Sequence, residues 1–274
     1  MRIKKLILLG MVSLLCLPNL SAQDNVSANA PEYVTVTTLH WNTNLTNFDI
    51  SEWLATEKEF FDKVTSKNDL IMGAGVLMHS YTGDNSEIKV YNVYGSWGDI
   101  DAAGAKNAEL IKNGWPNEDE RKAFMKKRMA YYTDEHSDEI YATGPNAKQP
   151  AKRPDKAQVY YIQITKLAFP DDGSGKEFNE LMKEANEATI QKNEFIKGYY
   201  PNFHAWGADR RDFVQVYVLD SLADLEKMGD RNDELIKEKW SDEEKRKEFG
   251  KKYGKYFSGL HGDYIYVNVP ELMK

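Results

Sequence analysis

A stretch of 39 residues occurs twice in this chain, and the repeat constrains the fold more than any other feature of the sequence. Residues 107–145 read NAELIKNGWPNEDERKAFMKKRMAYYTDEHSDEIYATGP, and residues 232–270 read NDELIKEKWSDEEKRKEFGKKYGKYFSGLHGDYIYVNVP. The two stretches are identical at 18 of their 39 positions without a gap. Ordinary amino-acid usage would give roughly two or three identities by chance. The sequence therefore predicts a tandem duplication, in which two similar units follow each other.

The similarity continues upstream at the same offset. Asn68 falls on Asn193, His79 falls on His204, and Val34 falls on Val159. The segment between the two copies, GPNAKQPAKRPDKA, is rich in Pro, Lys and Ala, which is typical of a linker. We therefore divide this part of the chain into a first repeat at residues 31–145, a linker at 146–155 and a second repeat at 156–274.

Both repeats predict the same order of elements, β-α-β-β-α-β. A strand rich in β-branched and aromatic residues comes first, EYVTVTTLHW in one repeat and AQVYYIQITKLAF in the other. A helix, two strands joined by a turn, a helix in two pieces and a last strand follow. The helices are predicted at about residues 51–66, 99–113, 176–192 and 223–238, with further short helices after the N-caps Asn117 and Ser241. This order is that of the ferredoxin-like unit.

The third strand of the second repeat is apolar on both faces. Alternation places Phe213, Tyr217 and Leu219 on one face and Val214, Val216 and Val218 on the other. One face can pack on the helices of its own repeat, whereas the other face needs a different cover. The first repeat is predicted to supply this cover, sheet against sheet, so that the chain forms a pseudo-dimer and folds as a monomer.

With two such units, and with the later helix of each broken at Trp115-Pro116 or Trp240-Ser241, the sequence resembles the dimeric α/β-barrel superfamily. There, two ferredoxin-like units, or two halves of one chain, join their sheets into a barrel. The resemblance implies an α+β fold of two tandem ferredoxin-like β-α-β-β-α-β repeats, joined as an intramolecular dimeric α/β-barrel. It also implies that the second strand of each repeat lies beside the fourth strand of the other.

The superfamily includes antibiotic-biosynthesis-type monooxygenases, haem-degrading and haem-binding enzymes, and chlorite-dismutase-like proteins, so the resemblance does not settle the function. Its haem enzymes generally take their iron ligand from a His on a helix of the later half. Neither repeat has a His inside a predicted helix. The chain departs from the haem pattern in this respect, and the sequence identifies no cofactor.

The first 23 residues have the layout of a secretory signal peptide. A basic start is followed by an apolar run from Leu6 to Leu17 and by the small residues Ser21 and Ala22. The apolar run is shorter than the ~20 residues that span a bilayer. We therefore predict a signal peptide at residues 1–23 and export to the periplasm or beyond, with Cys16, the only cysteine, removed on cleavage.

The charge of the chain argues against a nucleic-acid partner. The net charge is −7 at pH 7, and cleavage of the signal peptide would remove three further positive charges. Nucleic-acid binding depends on clustered Lys and Arg, whereas the basic residues here alternate with acids in helical runs such as DEEKRKEFGKK. We predict no nucleic-acid partner, and no membrane contact after cleavage.

Four of the five histidines form pairs between the repeats, His79 with His204 and His136 with His261. If the strands pair as the resemblance implies, His79 approaches His261, and His204 approaches His136. Asp138 and Asp263 follow the later histidines by two residues, so two His-His-Asp clusters would form.

Such a cluster suits a metal ion or general acid–base chemistry. The spacing lacks the tightness of an HExxH motif, and we predict no metal site from it. The alternative for each histidine is a turn cap or an ordinary hydrogen-bonding group.

Aromatic residues are the second candidate feature. Tyr81 and Trp206 each follow a paired histidine by two residues, on the same strand face. Most other aromatic residues are expected in the core, with Trp115 and Trp240 filling the gap at the helix break, and a minority could line an apolar cavity. The candidate ligand-binding residues are therefore His79, His204, His136, His261, Asp138, Asp263, Tyr81, Trp206 and Trp97.

Three functions are compatible with these features. The first is an exported binding or accessory protein that holds a small apolar or aromatic ligand. The second is a monooxygenase-like or haem-linked oxidoreductase. The third is a purely structural pseudo-dimer, in which the second copy serves only to cover the sheet of the first.

Overall fold

The computed structural model describes residues 30–152, 154–207 and 209–274. The predicted signal peptide at residues 1–23 lies outside these residues. The described strands are β1 Tyr33–Trp41, β2 Gly73–Tyr81, β3 Glu87–Tyr94, β4 Tyr132–Thr143, β5 Val159–Leu167, β6 Gly198–Trp206, β7 Asp212–Leu219 and β8 Phe257–Asn268. The helices are α1 Ile50–Lys63, α2 Trp97–Gly114, α3 Glu118–Met129, α4 Gly175–Ala188, α5 Ala223–Lys239 and α6 Glu243–Gly254.

The order of elements is β-α-β-β-α-α-β in both halves, which confirms the predicted ferredoxin-like units with a split later helix. The side chain of Asn117 accepts hydrogen bonds at the start of α3, as predicted. At the start of α6 the cap is Asp242 rather than the predicted Ser241. A carboxylate at this position accepts from two orphan backbone N–H groups and also complements the positive end of the helix.

The eight strands close into one barrel with the order β1-β3-β2-β8-β5-β7-β6-β4. Strand β2 pairs with β8, and β4 pairs with β6, so each half borrows the last strand of the other as a neighbour. This confirms the strand pairing that the resemblance implied. Closure leaves no strand with an unpaired edge, which is the usual solution to the edge problem of an antiparallel sheet.

The barrel separates two kinds of core. Its interior contains Val214 and Val218 of β7 together with tyrosines of both halves, including Tyr141 and Tyr266. The opposite face of β7, with Phe213 and Leu219 fully buried, packs against the helices. The predicted use of both faces of this strand is therefore confirmed. No helix among the described residues has the length and apolar character of a membrane span.

On their first strands, β1 and β5, the two halves match only when the sequence offset between them is changed by one residue. Trp41 lies opposite Tyr132, and Leu167 lies opposite Phe257. Since Tyr132 falls on Phe257 in the repeat, Trp41 is equivalent to Leu167, and the constant offset that placed Val34 on Val159 is wrong on this strand. A slip of one residue moves a side chain to the other face of a sheet, so the comparison of the halves below uses the strand register.

The segment after each last strand is tied to the other half. Lys148 forms a two-way backbone bridge with Tyr199, and its Nζ donates to the carbonyl of Asn193 at 2.8 Å. In the same way the backbone N–H of Lys274 donates to Ala74, and its Nζ donates to the carbonyl of Asn68 at 2.6 Å. The predicted linker at residues 146–155 thus begins with an ordered contact, and each half is held by the tail of the other.

Candidate functional site

The predicted histidine clusters do not form, although the strands pair as expected. His79 lies opposite Tyr266 on β8, whereas His261 is five residues further along that strand and lies opposite Thr165. A rise of ~3.3 Å per residue separates Tyr266 and His261 by roughly 17 Å. His204 lies opposite Tyr141, five residues from His136, with the same result.

Each histidine instead has a local partner. Nδ1 of His79 lies 2.7 Å from Oγ1 of Thr82, and Nε2 of His204 lies 3.3 Å from the carbonyl of Gly207. These contacts fit the alternative interpretation, in which the histidines serve the turns at the ends of β2 and β6.

The two aspartates contact the histidines of their own strands. Nε2 of His136 lies 3.3 Å from Asp138, and Nε2 of His261 lies 3.1 Å from Asp263. All four side chains are largely exposed. No group of three potential metal ligands occurs in the part of the chain that the structure describes.

The candidate aromatic residues lie on the surface. The exposed fractions are 63% for Tyr81, 69% for Trp206 and 46% for Trp97. None of the three lines either of the two pockets described below. Their role as ligand-binding residues stays a prediction.

The positions of the histidines in the fold also bear on haem binding. All five histidines, His40 and the four paired ones, lie on strands. The chain therefore offers no helical histidine of the kind that the haem proteins of the superfamily generally use, and we derive no step through a haem.

An open cleft of about 360 Å³ lies at the end of β1 in the first half. A second, more polar depression lies on the surface beside α4, lined by residues that include Lys176 and Lys183. The first, which we call the cleft, lies between the sheet and the helix layer. It is lined by Trp41, Asn42, Thr43, Leu45, Phe48, Ile50 and Met78.

Local sequence explains how the cleft is built. The loop after β1 is fixed by Asn42, whose Nδ2 donates to the carbonyl of Ala130 at 3.1 Å and whose Oδ1 accepts from the N–H of Asn44 at 3.1 Å. Asn47 has a φ of 62°, a conformation that asparagine tolerates better than most residues. Asp49 then caps α1. The loop is therefore held open by local hydrogen bonds, with Phe48 and Ile50 partly exposed at its end.

Aromatic rings form the wall of the cleft. The rings of Trp41 and Phe48 lie 5.1 Å apart at 75°. Trp41 makes a similar contact with the buried Trp53, at 5.1 Å and 76°, and stacks on Tyr132 at 6.0 Å. Trp41 thus faces the cleft with two buried aromatic residues behind it, which restrict its motion.

A buried polar network lies directly behind this wall. Nε1 of Trp53 donates to the hydroxyl of Tyr132 at 2.8 Å, and this hydroxyl donates to Oε1 of Glu57 at 2.9 Å. Nε of Arg128 lies 3.0 Å from each carboxylate oxygen of Glu57. The exposed fraction of Glu57 is 6%, so a charged carboxylate is held in the interior by one cation and one hydroxyl donor.

The network sets the protonation of its tyrosine. Burial away from water, together with the neighbouring Glu57 carboxylate, raises the pKa of Tyr132 well above its ordinary value. Tyr132 therefore keeps its proton and acts as a donor to Glu57. The guanidinium of Arg128 lies 3.8 Å from the ring centroid of Phe60, a cation–π contact that holds the cation over an apolar face.

The second half has an apolar cluster at the equivalent place. The repeat places Phe178 on Trp53, Met182 on Glu57, Tyr253 on Arg128 and Phe257 on Tyr132. These four second-half residues belong to one hydrophobic cluster, in which Met182 is completely buried. The same backbone arrangement is therefore stable without a buried charge.

The equivalent place in the second half is packed with aromatic side chains. Phe203 stands where Met78 stands in the first half. Its ring stacks on Phe213 at 4.8 Å and meets Phe178 edge-on at 6.1 Å. The space that is open beside Trp41 is thus occupied by aromatic side chains in the second half.

The residues of the cleft and the network were not among the predicted site residues. The prediction selected histidines that the two repeats share, whereas the site consists of residues in which the repeats differ. One signal was present in the sequence, because Glu57 falls on Met182 of the equivalent helix. Where one repeat has an acid at a core position and the other has an apolar residue, the acid is not needed for the fold that both repeats share.

Comparison with solved structures agrees with this architecture. A monooxygenase-like protein of Lactobacillus acidophilus matches with a TM-score of 0.51 and 11% identity, covering 89% of this chain and 96% of that one. A monooxygenase-like protein of Fusobacterium nucleatum matches with a TM-score of 0.51 and 12% identity, covering 87% and 93%. The fold is that of the dimeric α/β-barrels.

A chlorite dismutase of Candidatus Nitrospira defluvii, in complex with imidazole, has a TM-score of 0.50 and 14% identity, with coverage of 88% and 92%. No family model matches the chain, and no curated protein matches it. Identities this low show a shared fold and carry no activity from these proteins to this chain.

Proposed function

We propose that this protein binds a small, largely apolar molecule in the cleft of its first half. The observation that carries the proposal is the difference between the halves, because one fold position is an open cleft in the first half and a packed aromatic cluster in the second. A purely structural duplication would have no need of this difference. The volume of about 360 Å³ lies within the range of small-molecule sites, and such sites are usually apolar with few polar groups.

The buried network supports this proposal because it keeps the aromatic wall of the cleft rigid. Trp41 is in contact with Trp53 and Tyr132, and both of these residues are fixed by hydrogen bonds that end on Glu57 and Arg128. A wall whose side chains are locked from behind loses little conformational freedom when a ligand binds, and this lowers the cost of binding.

We further propose that the chain is an exported, monomeric product of a tandem duplication. The basic start, short apolar run and small-residue end of residues 1–23 support export, and the internal repeat supports duplication. Barrel closure within one chain supports a monomer, because no sheet edge is left for a partner among the described residues.

Export makes a prediction about mass. The protein recovered from the exporting cell is expected to begin after Ala22 or Gln23 and to lack Cys16. Intact-mass measurement checks this outcome, and a chain that keeps residues 1–23 in the exported fraction, or an uncleaved chain confined to the cytoplasm, would contradict it.

Replacing Met78 by Phe tests the cleft directly. The second half already carries Phe at the equivalent position, so the larger ring is expected to fill the cleft while the fold is kept, with a change in stability below about 1.5 kcal/mol. Affinity for small aromatic compounds, measured by ligand-observed NMR with a mixture of phenols, indoles and aryl ammonium ions, is expected to fall about tenfold or more.

The matched control is Phe203→Met in the second half, which is expected to leave ligand binding unchanged. If the wild type binds no member of the mixture, or if Met78→Phe and Phe203→Met weaken binding equally, the cleft is not the site. The first of these outcomes favours the purely structural function.

A monooxygenase-like activity is the second candidate function. Two proteins with this fold are described as monooxygenase-like, and the cleft would place the aromatic side chains of Trp41 and Phe48 beside a bound molecule. Incubation of a bound compound with the protein in air distinguishes the two functions. A product that contains one oxygen atom derived from O2, absent with Met78→Phe, would favour the monooxygenase, and the substrate carbon would itself supply the electrons that reduce the second oxygen atom to water.

A further inference from the structure

The chemistry of the cleft deepens the proposed function by indicating the class of ligand. We infer that the cleft binds an organic cation, specifically an alkylated ammonium group attached to an apolar body. This inference rests on the proposal that the cleft is a binding site, and three features of the described residues carry it.

The first feature is the arrangement of ring faces. Trp41 and Phe48 stand nearly perpendicular, at 75°, with centroids 5.1 Å apart. Both line the cleft, and the thioether side chain of Met78 lines it with them. The two rings are in edge-to-face contact and together form one aromatic side of the cleft, and the electron-rich face of an aromatic ring attracts quaternary and alkylated ammonium groups.

The second feature is the charge around the cleft. Residues 42–57 contain no Lys, Arg or His, but they contain Asp49, Glu52 and Glu57. Asp49 and Glu52 lie at the exposed start of α1, beside the lining residues Phe48 and Ile50. Neither has a cationic side-chain partner among the described residues.

The cations nearest in sequence do not oppose such a ligand, and Lys58, which directly follows this stretch, is paired with Asp62. Arg128 lies behind Trp41 and is paired with Glu57. His40 precedes Trp41, and its Nδ1 lies 3.2 Å from the carboxylate of Asp84. The positive end of α1 is occupied by the Asp49 side chain, which accepts from Ser51 at 2.7 Å.

The third feature is the small number of polar side chains in the lining, which are those of Asn42 and Thr43. Both ends of the Asn42 amide are used by the loop itself. A ligand that needs several hydrogen bonds would lose its bonds to water without replacement. An alkylated ammonium ion has no such requirement, because its charge is shielded by methyl groups and is attracted by ring faces and by nearby carboxylates.

An isosteric pair of probes tests the inference. Phenyltrimethylammonium and tert-butylbenzene have the same shape and differ in charge. Titration of the mature wild-type protein with each, followed by tryptophan fluorescence and ligand-observed NMR, is expected to show at least tenfold tighter binding of the cation. The preference is expected to fall several-fold at low salt in Asp49→Asn/Glu52→Gln, which keeps an N-cap but removes two charges.

The matched control is Asp171→Asn in the loop before α4 of the second half, which is expected to leave the preference unchanged. Equal or tighter binding of tert-butylbenzene would overturn the inference while leaving the proposed apolar site in place. Failure of both probes to bind, in a protein that also binds no member of the aromatic mixture, would overturn the proposed function itself. A preference for the cation that survives Trp41→Leu would also overturn the inference, because the ring face would then play no part.

Discussion

Replacement of Glu57 by Met is expected to lower the free energy of unfolding by about 3 kcal/mol, which is the lower end of the range for breaking a buried ion pair. The carboxylate is the shared acceptor of Arg128 and Tyr132. Its removal leaves a guanidinium and a hydroxyl without their partner in the interior. We choose the lower end because the Arg128 side chain is 20% exposed and keeps some contact with water. Urea unfolding with unchanged m-value measures the difference.

Changing the whole network at once is expected to reverse most of this loss. The variant carries the four residues of the second half, Trp53→Phe, Glu57→Met, Arg128→Tyr and Tyr132→Phe. Replacing a buried ion pair by well-packed apolar residues is often neutral or stabilising, and the second half shows that this set packs on the same backbone arrangement. The unfolding free energy is therefore expected within about 1 kcal/mol of the wild type.

The same variant separates folding from binding. Its Trp41 keeps aromatic neighbours but loses the hydrogen-bonded support behind them, so weaker binding in the cleft is expected from a folded protein. Met182→Leu serves as the control for sensitivity to core changes and is expected to cost less than about 1.5 kcal/mol. A four-residue variant no more stable than Glu57→Met would contradict the conclusion that the network is dispensable for folding.

Much of the fold could be predicted from the repeat, because each element appears twice and the two copies support each other. The strand and helix order, the split after Trp115 and Trp240, and the two faces of β7 were all predicted correctly. The helix break has a specific basis, since Nη1 of Arg121 donates to the carbonyl of Trp115 at 3.0 Å and Nη1 of Arg246 donates to Trp240 at 2.9 Å. The shared arginines therefore close the break rather than serving as simple surface charge.

The predicted histidine clusters failed for a reason that the sequence does not contain. Strand order follows from the resemblance, but the register between β2 and β8 depends on how the whole barrel is staggered. Tyr266 rather than His261 lies opposite His79. The two histidines of each predicted cluster are therefore separated by several residues along the strand. The one-residue offset on β1 and β5 has the same origin, because a loop that differs by one residue shifts the strand without changing its pattern.

The cleft could not be predicted from the residues that the two repeats share. Several residues that the two halves share serve the geometry that both halves need, as Arg121 and Arg246 do. Trp41, Met78 and Glu57 have different counterparts in the second half. In this chain the differences between the copies, read at buried positions, point to the candidate site more directly than the identities do.

The second large effect on the free energy of unfolding is expected at the two asparagines that the halves share, Asn68 and Asn193. Asn193 is completely buried, and its Nδ2 donates to the carbonyl of Met228 at 3.0 Å and to Asn232 at 2.8 Å, while its Oδ1 accepts from the N–H of Phe195 at 3.0 Å. Asn68 makes the corresponding three bonds to Ala103, Asn107 and Leu70. Each amide joins the turn before a strand to the helix that covers it.

Replacement of either asparagine by Ala is expected to lower the free energy of unfolding by about 2–4 kcal/mol, because buried partners are left without a hydrogen bond. The two sites share no partner, so the losses are expected to add to within about 0.5 kcal/mol in the double variant. Such a sum approaches the whole stability of an ordinary domain, and the double variant should be partly unfolded without denaturant. Urea unfolding of the single variants and circular dichroism of the double variant check this.

The control is Asn44→Ala, an exposed asparagine of the cleft loop whose backbone makes the only bond described for it, and its effect on stability is expected within about 0.5 kcal/mol. If Asn68→Ala and Asn193→Ala leave stability unchanged but weaken ligand binding, the shared residues would belong to a site after all, and the division between shared structure and unshared function would fail. If they destabilise the protein while the folded fraction binds normally, the repeat is explained by the requirements of the barrel. The search for function in this chain then belongs at the positions where its two halves disagree.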